Sequence, residues 1–256
     1  MEQSIVQSVE RTFKIVELLS LHTRGLGLLE VAKETALHKS TAHRLLSCLI
    51  QMGYVIQDEL TGLYRLSLKL FELSSRLVDS TDLLAIAKPY LDSLSQISSE
   101  AVHLVIPSEV NIVYVYKVDA YNSSTVRMAS RVGLSIPMYC TGCGKAILAH
   151  IPQSEVTAIW EKSNIQTLTA HTVVDFNEFC QVLATIRETG YALDNEENEI
   201  GVRCMAFPIL DYNHRPVAAF SISAPTTRMT DERIAEILPH AKKALAQIAS
   251  SLGYSY

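Results

Sequence analysis

Between Glu34 and Asp58 the chain carries no acidic residue. Inside that window, Lys39-Ser-Thr-Ala-His-Arg-Leu-Leu46 reads as the start of a short amphipathic helix. Ala42, Leu45, Leu46 and Leu49 fall at i, i+3, i+4 and i+7 and make one apolar stripe. Ser40, His43, Arg44, Ser47 and Gln51 fall on the other side, with Lys39 and Thr41 in the first turn. A helix with an apolar rear and a front of Lys, Ser, His and Arg suits the major groove of DNA, where cations meet phosphates and polar side chains read base edges.

Three other patterns could carry chemistry. The first is Cys140-Thr-Gly-Cys143, which has metal or redox spacing but lacks the second pair that a structural zinc site uses. With Cys48, Cys180 and Cys204 the cysteines are odd in number and irregular in spacing, so no disulfide framework is expected. The second is Thr141-Gly142-Cys143-Gly144 ahead of a helix, where backbone amides and a helix N-terminus would favour an anion such as a carboxylate. The third is Ser221 and Ser223, which alternate with apolar residues so that both hydroxyls share one side of a strand. On an interior face they need partners, and a bound acid would supply them.

A thiol-dependent hydrolase using Cys143 or Cys204 is a competing reading, but no His is paired in sequence with either. A redox or metal sensor using Cys140 and Cys143 is another. His22, His103, His150, His171 and His240 show no metal spacing and are expected to be scattered surface or satisfied core residues. No cofactor and no metal is expected.

The elements around these residues can be read from periodicity. A first helix is predicted over Ser8–Leu21, with Val9, Phe13, Val16 and Leu19 or Ser20 as its stripe, widened by Ile15 and Leu18, followed by helices from about Leu29 and Lys39. Gly53 to Leu66 alternates apolar and polar on two arms, with Gly62 where a turn needs positive φ, which predicts a β-hairpin. Three helices and a hairpin make a winged helix-turn-helix, with Arg65 of the wing near a phosphate. Leu66, Leu70, Leu73 and Leu77 form a seam on a helix leaving this domain. Strands are predicted at 101–106, 111–117, 124–128, 191–194, 202–210 and 216–223. Helices are predicted at about 83–99, bent at Pro89, and at 144–150, 153–161, 175–188 and 230–252. Ser80-Thr81-Asp82, Asp175 and Thr230 are expected caps. The order predicts an α+β fold: residues 1–66 as the DNA-binding domain, 67–82 as a linker helix, and 83–256 as a domain built on an antiparallel sheet.

At 256 residues, nearly half of them apolar, the chain is long enough for two cores. Its net charge of −5 is uneven: residues 1–79 hold nine basic and nine acidic side chains, and the remainder carries the deficit. The apolar runs are too short to span a bilayer, and Met-Glu-Gln-Ser lacks the basic start of a secretion signal, so a cytoplasmic protein is expected.

The chain resembles the IclR family of bacterial transcriptional regulators over nearly its full length. The resemblance is carried by Lys39-Ser-Thr-Ala-His-Arg-Leu-Leu46, Gly62-Leu-Tyr-Arg-Leu66, Thr141-Gly-Cys-Gly-Lys-Ala146, Gly190-Tyr-Ala-Leu-Asp194 and Gly201-Val-Arg-Cys-Met-Ala-Phe-Pro208. His38 departs from it, standing where many relatives have proline. The resemblance implies a GAF-like effector-binding domain, homodimers or homotetramers on palindromic double-stranded operators, and a non-enzymatic regulator. It further implies repression of a catabolic operon, controlled by a small organic acid. It implies DNA contacts from Lys39, Ser40, Thr41, His43, Arg44, Ser47 and Arg65. It implies an effector pocket at Gly142, Cys143, Asp194, Cys204, Ser221 and Ser223, with Met128 and Val202 as apolar walls. Arg203 alternates away from Cys204 and is expected in a structural ion pair.

Overall fold

A computed structural model describes residues 6–73, 82–119, 130–211 and 213–252. The chain divides into two compact units, Met1–Ser80 and Thr81–Tyr256.

In the first unit, helices α1 (Gln7–Leu21), α2 (Leu28–Glu34) and α3 (Lys39–Gln51) precede an antiparallel hairpin of β1 (Val55–Gln57) and β2 (Tyr64–Leu66). A bridge from Leu26 to Tyr64 ties the hairpin to the segment before α2. This is a winged helix-turn-helix. Ala42, Leu46 and Leu49 of α3 are buried, and they pack with Ile15, Leu19, Val31, Val55 and Tyr64 in one small core. The face of α1 agrees with expectation only in part. Val9 and Phe13 are more than half exposed, and Ile15 with Leu19 fills the core. The apolar residues of α1 cover more of its circumference than so small a core can bury, so periodicity alone does not single out the inner face.

The wing turn is built as its residues dictate. Asp58 Oδ1 accepts from the amides of Leu60 and Thr61 and from the Thr61 hydroxyl, and Gly62 takes φ +70°. Those bonds, the Thr61 amide foremost, hold the Asp58 carboxyl below its ordinary range. Beyond β2, Lys69 Nζ donates to the Met52 carbonyl at 2.7 Å, closing the C-terminal end of α3. The chain is helical over 69–73. Of the expected seam, Leu66 and Leu70 are half-buried, Leu73 is exposed, and Leu77 lies outside the described residues.

The second unit is a six-stranded antiparallel sheet in the order β5-β4-β3-β8-β7-β6. Its strands are β3 (Ala101–Ser108), β4 (Asn111–Val118), β5 (Ser135–Pro137), β6 (Ala192–Asn195), β7 (Val202–Leu210) and β8 (Pro216–Pro225). The helices are α4 (Asp82–Ser98), α5 (Gly142–Leu148), α6 (Gln153–Lys162), α7 (Phe176–Thr189) and α8 (Asp231–Ser251). The expected strand at 124–128 lies outside the described residues, as do Ser80 and Thr81. The three-residue edge strand β5 was not expected from the sequence. Helix α4 continues through Pro89. Asp175 and Thr230 cap as expected, each side chain accepting an amide three residues on.

Strand alternation gives the sheet two coats. Leu104, Met205, Phe207, Phe220 and Ile222 point one way, into a core closed by α4 and α8. Val105, Ala206 and Ala219 point the other way, toward α5 and α7, with Met138, Cys143, Phe179 and Leu183. The second face holds the cavity described next.

Candidate functional site

Two features of the chain could meet other molecules. The first is the outer side of α3. Lys39, Ser40, His43, Arg44 and Ser47 are exposed on it, Thr41 is half-exposed, and Arg65 is exposed on the wing strand β2. His38 occupies the N-cap of α3 without a side-chain cap bond. The buried Ala42, Leu46 and Leu49 fix which side of α3 faces out, so the apolar stripe positions the polar one.

The second feature is a cavity of about 150 Å³ in the sheet unit. A volume of about 150 Å³ is one that benzene can occupy. The strand register builds its floor. Asp194 pairs with Cys204, Cys204 with Ser223, and Ser221 with His103, so these five side chains share one face across four strands. Helix α5 brings Gly142 and Cys143, and Val202 lies at the start of β7. Gly142, Cys143, Asp194, Val202, Cys204, Ser221 and Ser223 therefore line a single cavity. Met128 lies outside the described residues. His103, Tyr114, Ser130, Thr141 and Asn198 also line it and were not expected there. His103 is buried and hydrogen-bonded, as a core histidine should be, yet it also faces the cavity. The signal was available: in Ala101-Val-His-Leu-Val-Ile a lone polar residue falls on the same strand face as Ala101 and Val105.

The two glycines around Cys143 differ in what they do. Helix α5 begins at Gly142, two residues earlier than predicted, capped by Thr141, whose hydroxyl accepts from the Gly144 amide at 3.1 Å. That amide is thus committed to the cap, and the donors left over in the first turn are those of Gly142 and Cys143. Gly144 is required by packing: a Cβ there would lie 2.3 Å from both Cα and O of Met138. At Gly142 the nearest atom to such a Cβ would be Ala206 Cβ, at 3.2 Å.

The electrostatics follow from enclosure. Burial raises the Asp194 carboxyl to about 6, against the opposing pull of Lys145 and of the Glu197 amide that donates to it at 2.9 Å. Burial lowers His103 to about 4, and the charge of Lys117 adds to this, so the ring is neutral near pH 7. Burial pushes the Cys143 and Cys140 thiols up to about 12 and Cys204 well above its usual value. Thiols held this firmly protonated are poor nucleophiles and poor redox centres. Cys140 Sγ donates instead to the Pro137 carbonyl at 3.6 Å. Among the described residues no three His, Cys, Asp or Glu side chains form a group able to hold a metal ion.

Behind the cavity lies a buried ion pair that sequence reading missed. Lys145 of α5 is 1% exposed. Its ammonium donates to the Leu193 carbonyl at 2.6 Å and to Glu197 Oε1. The Thr169 and Thr172 hydroxyls donate to the Glu196 and Glu197 carbonyls, at 2.6 and 2.7 Å, fixing the turn after β6 that carries Asn198. On the opposite sheet face, Arg203 pairs with Asp231 at 2.7 Å, as its alternation with Cys204 requires.

A winged helix-turn-helix joined in one chain to an α+β unit with a cavity lined by both polar and apolar side chains defines a helix-turn-helix transcriptional regulator with a ligand-binding domain. Residues 8–59 match the IclR helix-turn-helix domain, and residues 75–250 match the bacterial transcriptional regulator IclR C-terminal domain. The chain is 37% identical over 250 residues to the HTH-type transcriptional regulator KdgR of Escherichia coli, covering 97% of this chain and 94% of that one. It is 32% identical to the transcriptional repressor IclR of the same organism, covering 97% and 90%. The crystal structure of Thermotoga maritima IclR superposes with a TM-score of 0.82 at 30% identity, covering 97% of this chain and 99% of that one. The chain belongs to the IclR family of bacterial transcriptional regulators. No helix among the described residues is long and apolar enough to cross a membrane.

Proposed function

We propose that this protein is a cytoplasmic repressor of a catabolic operon. In this reading the outer face of α3 lies in the major groove of a palindromic operator. Lys39, Ser40, Thr41, His43, Arg44 and Ser47 contact DNA there, Arg65 meets a phosphate from the wing, and the protein works as a homodimer or homotetramer. Residues 1–66 form the DNA-binding domain and 67–82 the connecting helix. The domain from 83 onward takes up a small carboxylate metabolite and alters the affinity for DNA. Repression is proposed by likeness to the E. coli repressor.

The observation that carries the effector reading is the convergence of Gly142, Cys143, Asp194, Val202, Cys204, Ser221 and Ser223 on one cavity. The hydroxyls of Ser221 and Ser223 and the free first-turn amides of α5 are donors suited to a carboxylate. The protein acts by binding and not by catalysis. Its cavity thiols are protonated, and the cavity histidine, His103, has its ring nitrogens near Ser130, Ser221 and Ser223. A thermal-shift screen against acetate, pyruvate, benzoate and gluconate tests this, because a ligand selective for the folded state raises the melting point. At least one acid is expected to do so in the wild type and to fail in Ser221→Ala, whose DNA affinity without ligand is unchanged. Equal shifts in both proteins remove Ser221 from the site.

A further inference from the structure

We propose that His103 sets the hydrogen-bond polarity of the cavity: its ring determines whether Ser221 and Ser223 meet a ligand as donors or as acceptors. The proposal rests on the reading that the cavity holds a small carboxylate.

Three hydroxyls surround this one ring. Nε2 lies 2.9 Å from Ser130 Oγ. Nδ1 lies 3.5 Å from Ser221 Oγ and 3.4 Å from Ser223 Oγ, and the two serine oxygens are 3.4 Å apart. The ring is fixed in place by its strand pairing with Ser221 and by an edge contact to Tyr114, with centroids 5.3 Å apart. Uncharged imidazole has one donor nitrogen and one acceptor nitrogen, so the ring offers opposite roles to its two sides.

With the proton on Nε2, the ring donates to Ser130, and Nδ1 must receive a proton from the serine pair. One serine gives its proton to Nδ1 and the other gives its proton to the first serine's oxygen across their 3.4 Å contact, so the pair turns lone pairs toward the cavity. With the proton on Nδ1, the ring donates to a serine oxygen and the Ser130 hydroxyl donates to Nε2. The ring then draws on neither serine proton, and a ligand competes for them only with the Cys143 and Cys204 sulfurs beside Ser221 and Ser223. A carboxylate only accepts hydrogen bonds, so it selects the second arrangement. An uncharged ligand that donates selects the first. The cavity thereby changes from acceptor to donor without changing its charge. Burial, which keeps the ring neutral, is what makes this switch available. His103 is in this account a positioning residue, acting on the ligand through the serines.

The full-length protein labelled with ¹⁵N-histidine tests the proposal. The ring-nitrogen shifts report which nitrogen bears the proton, and the His103 signal is identified by its loss in His103→Asn. The probes are acetate, pyruvate, benzoate and gluconate, each beside its primary amide. On binding an acid, the His103 proton is expected on Nδ1. His103→Leu is expected to weaken the acid about tenfold while moving its amide by no more than about twofold, since the lost term is one hydrogen-bond role. His103→Asn, which can keep an amide donor facing the serines, is expected to retain acid binding. A proton that stays on Nε2 in free and bound protein overturns the proposal, as does equal loss of acid and amide in His103→Leu. A wild-type protein that none of the acids stabilises overturns the carboxylate reading itself, and the proposal with it.

Discussion

A buried carboxyl in a cavity proposed to receive another carboxylate must give up its charge or be paired. Asp194 is placed to give it up, since enclosure raises its pKa to about 6. The folded state therefore holds the proton more tightly than the unfolded chain, where the group titrates near 3.8. The stabilising contribution is fully present below the unfolded value and is lost as pH rises through about 6. The difference corresponds to about 3 kcal/mol at most. Asp194→Asn keeps an oxygen to accept the Glu197 amide and removes the titration. Melting curves at pH 5 and pH 8 should show wild type losing stability relative to this variant as pH rises. The effector acid should also bind wild type more tightly at pH 5.5 than at pH 8, and this dependence should be reduced in the variant. The pairing of Ser221 with Ser223 was legible from alternation. Their link to His103 was not, because strand register between β3 and β8 joins residues more than a hundred positions apart.

At the scale of elements, α3 and α5 each serve one role with one face and a second role with the other. Arg44→Ala and Ser40→Ala remove exposed groups from α3 and leave Ala42, Leu46 and Leu49 in their core. Stability should change by no more than about 0.5 kcal/mol, while operator affinity measured by gel shift falls. Gly144→Ala is the converse case. Its methyl would meet Met138 backbone that has no rotamer to yield, so a loss of about 3 kcal/mol or more is expected in denaturant unfolding. The amphipathic pattern of α3, the hairpin at Gly62 and the caps at Asp175 and Thr230 are local signals, and all were legible in the sequence. The inner face of α1 was not, because its apolar residues exceed one stripe. The Lys145–Glu197 pair was not either, since a lysine in a Gly-Cys-Gly-Lys segment gives no local sign that it is buried.

Over the whole molecule, charge is partitioned by unit. The chain carries −5 overall, yet residues 1–79 are balanced, and the outer side of α3 has no acid beside it. Attraction to phosphate acts over roughly 10 Å at ordinary salt, so in the proposed complex the charges beside the DNA matter more than the chain's net charge. In the proposed assembly, two copies reading one palindrome would raise affinity well beyond a single contact. Apart from β5, the order of the described elements was readable from periodicity. The effector's identity was not, because a cavity of hydroxyls, amides and thiols fits several small acids.

The most direct measurement is fluorescence anisotropy of a labelled duplex from upstream of the protein's own gene, titrated with wild type and Arg44→Ala, with and without the stabilising acid. The account predicts tight wild-type binding that weakens as salt rises, marked loss in Arg44→Ala, and a shift in wild-type affinity when the acid is present. Wild type and Arg44→Ala binding that duplex alike, with no response to the acid, would contradict it.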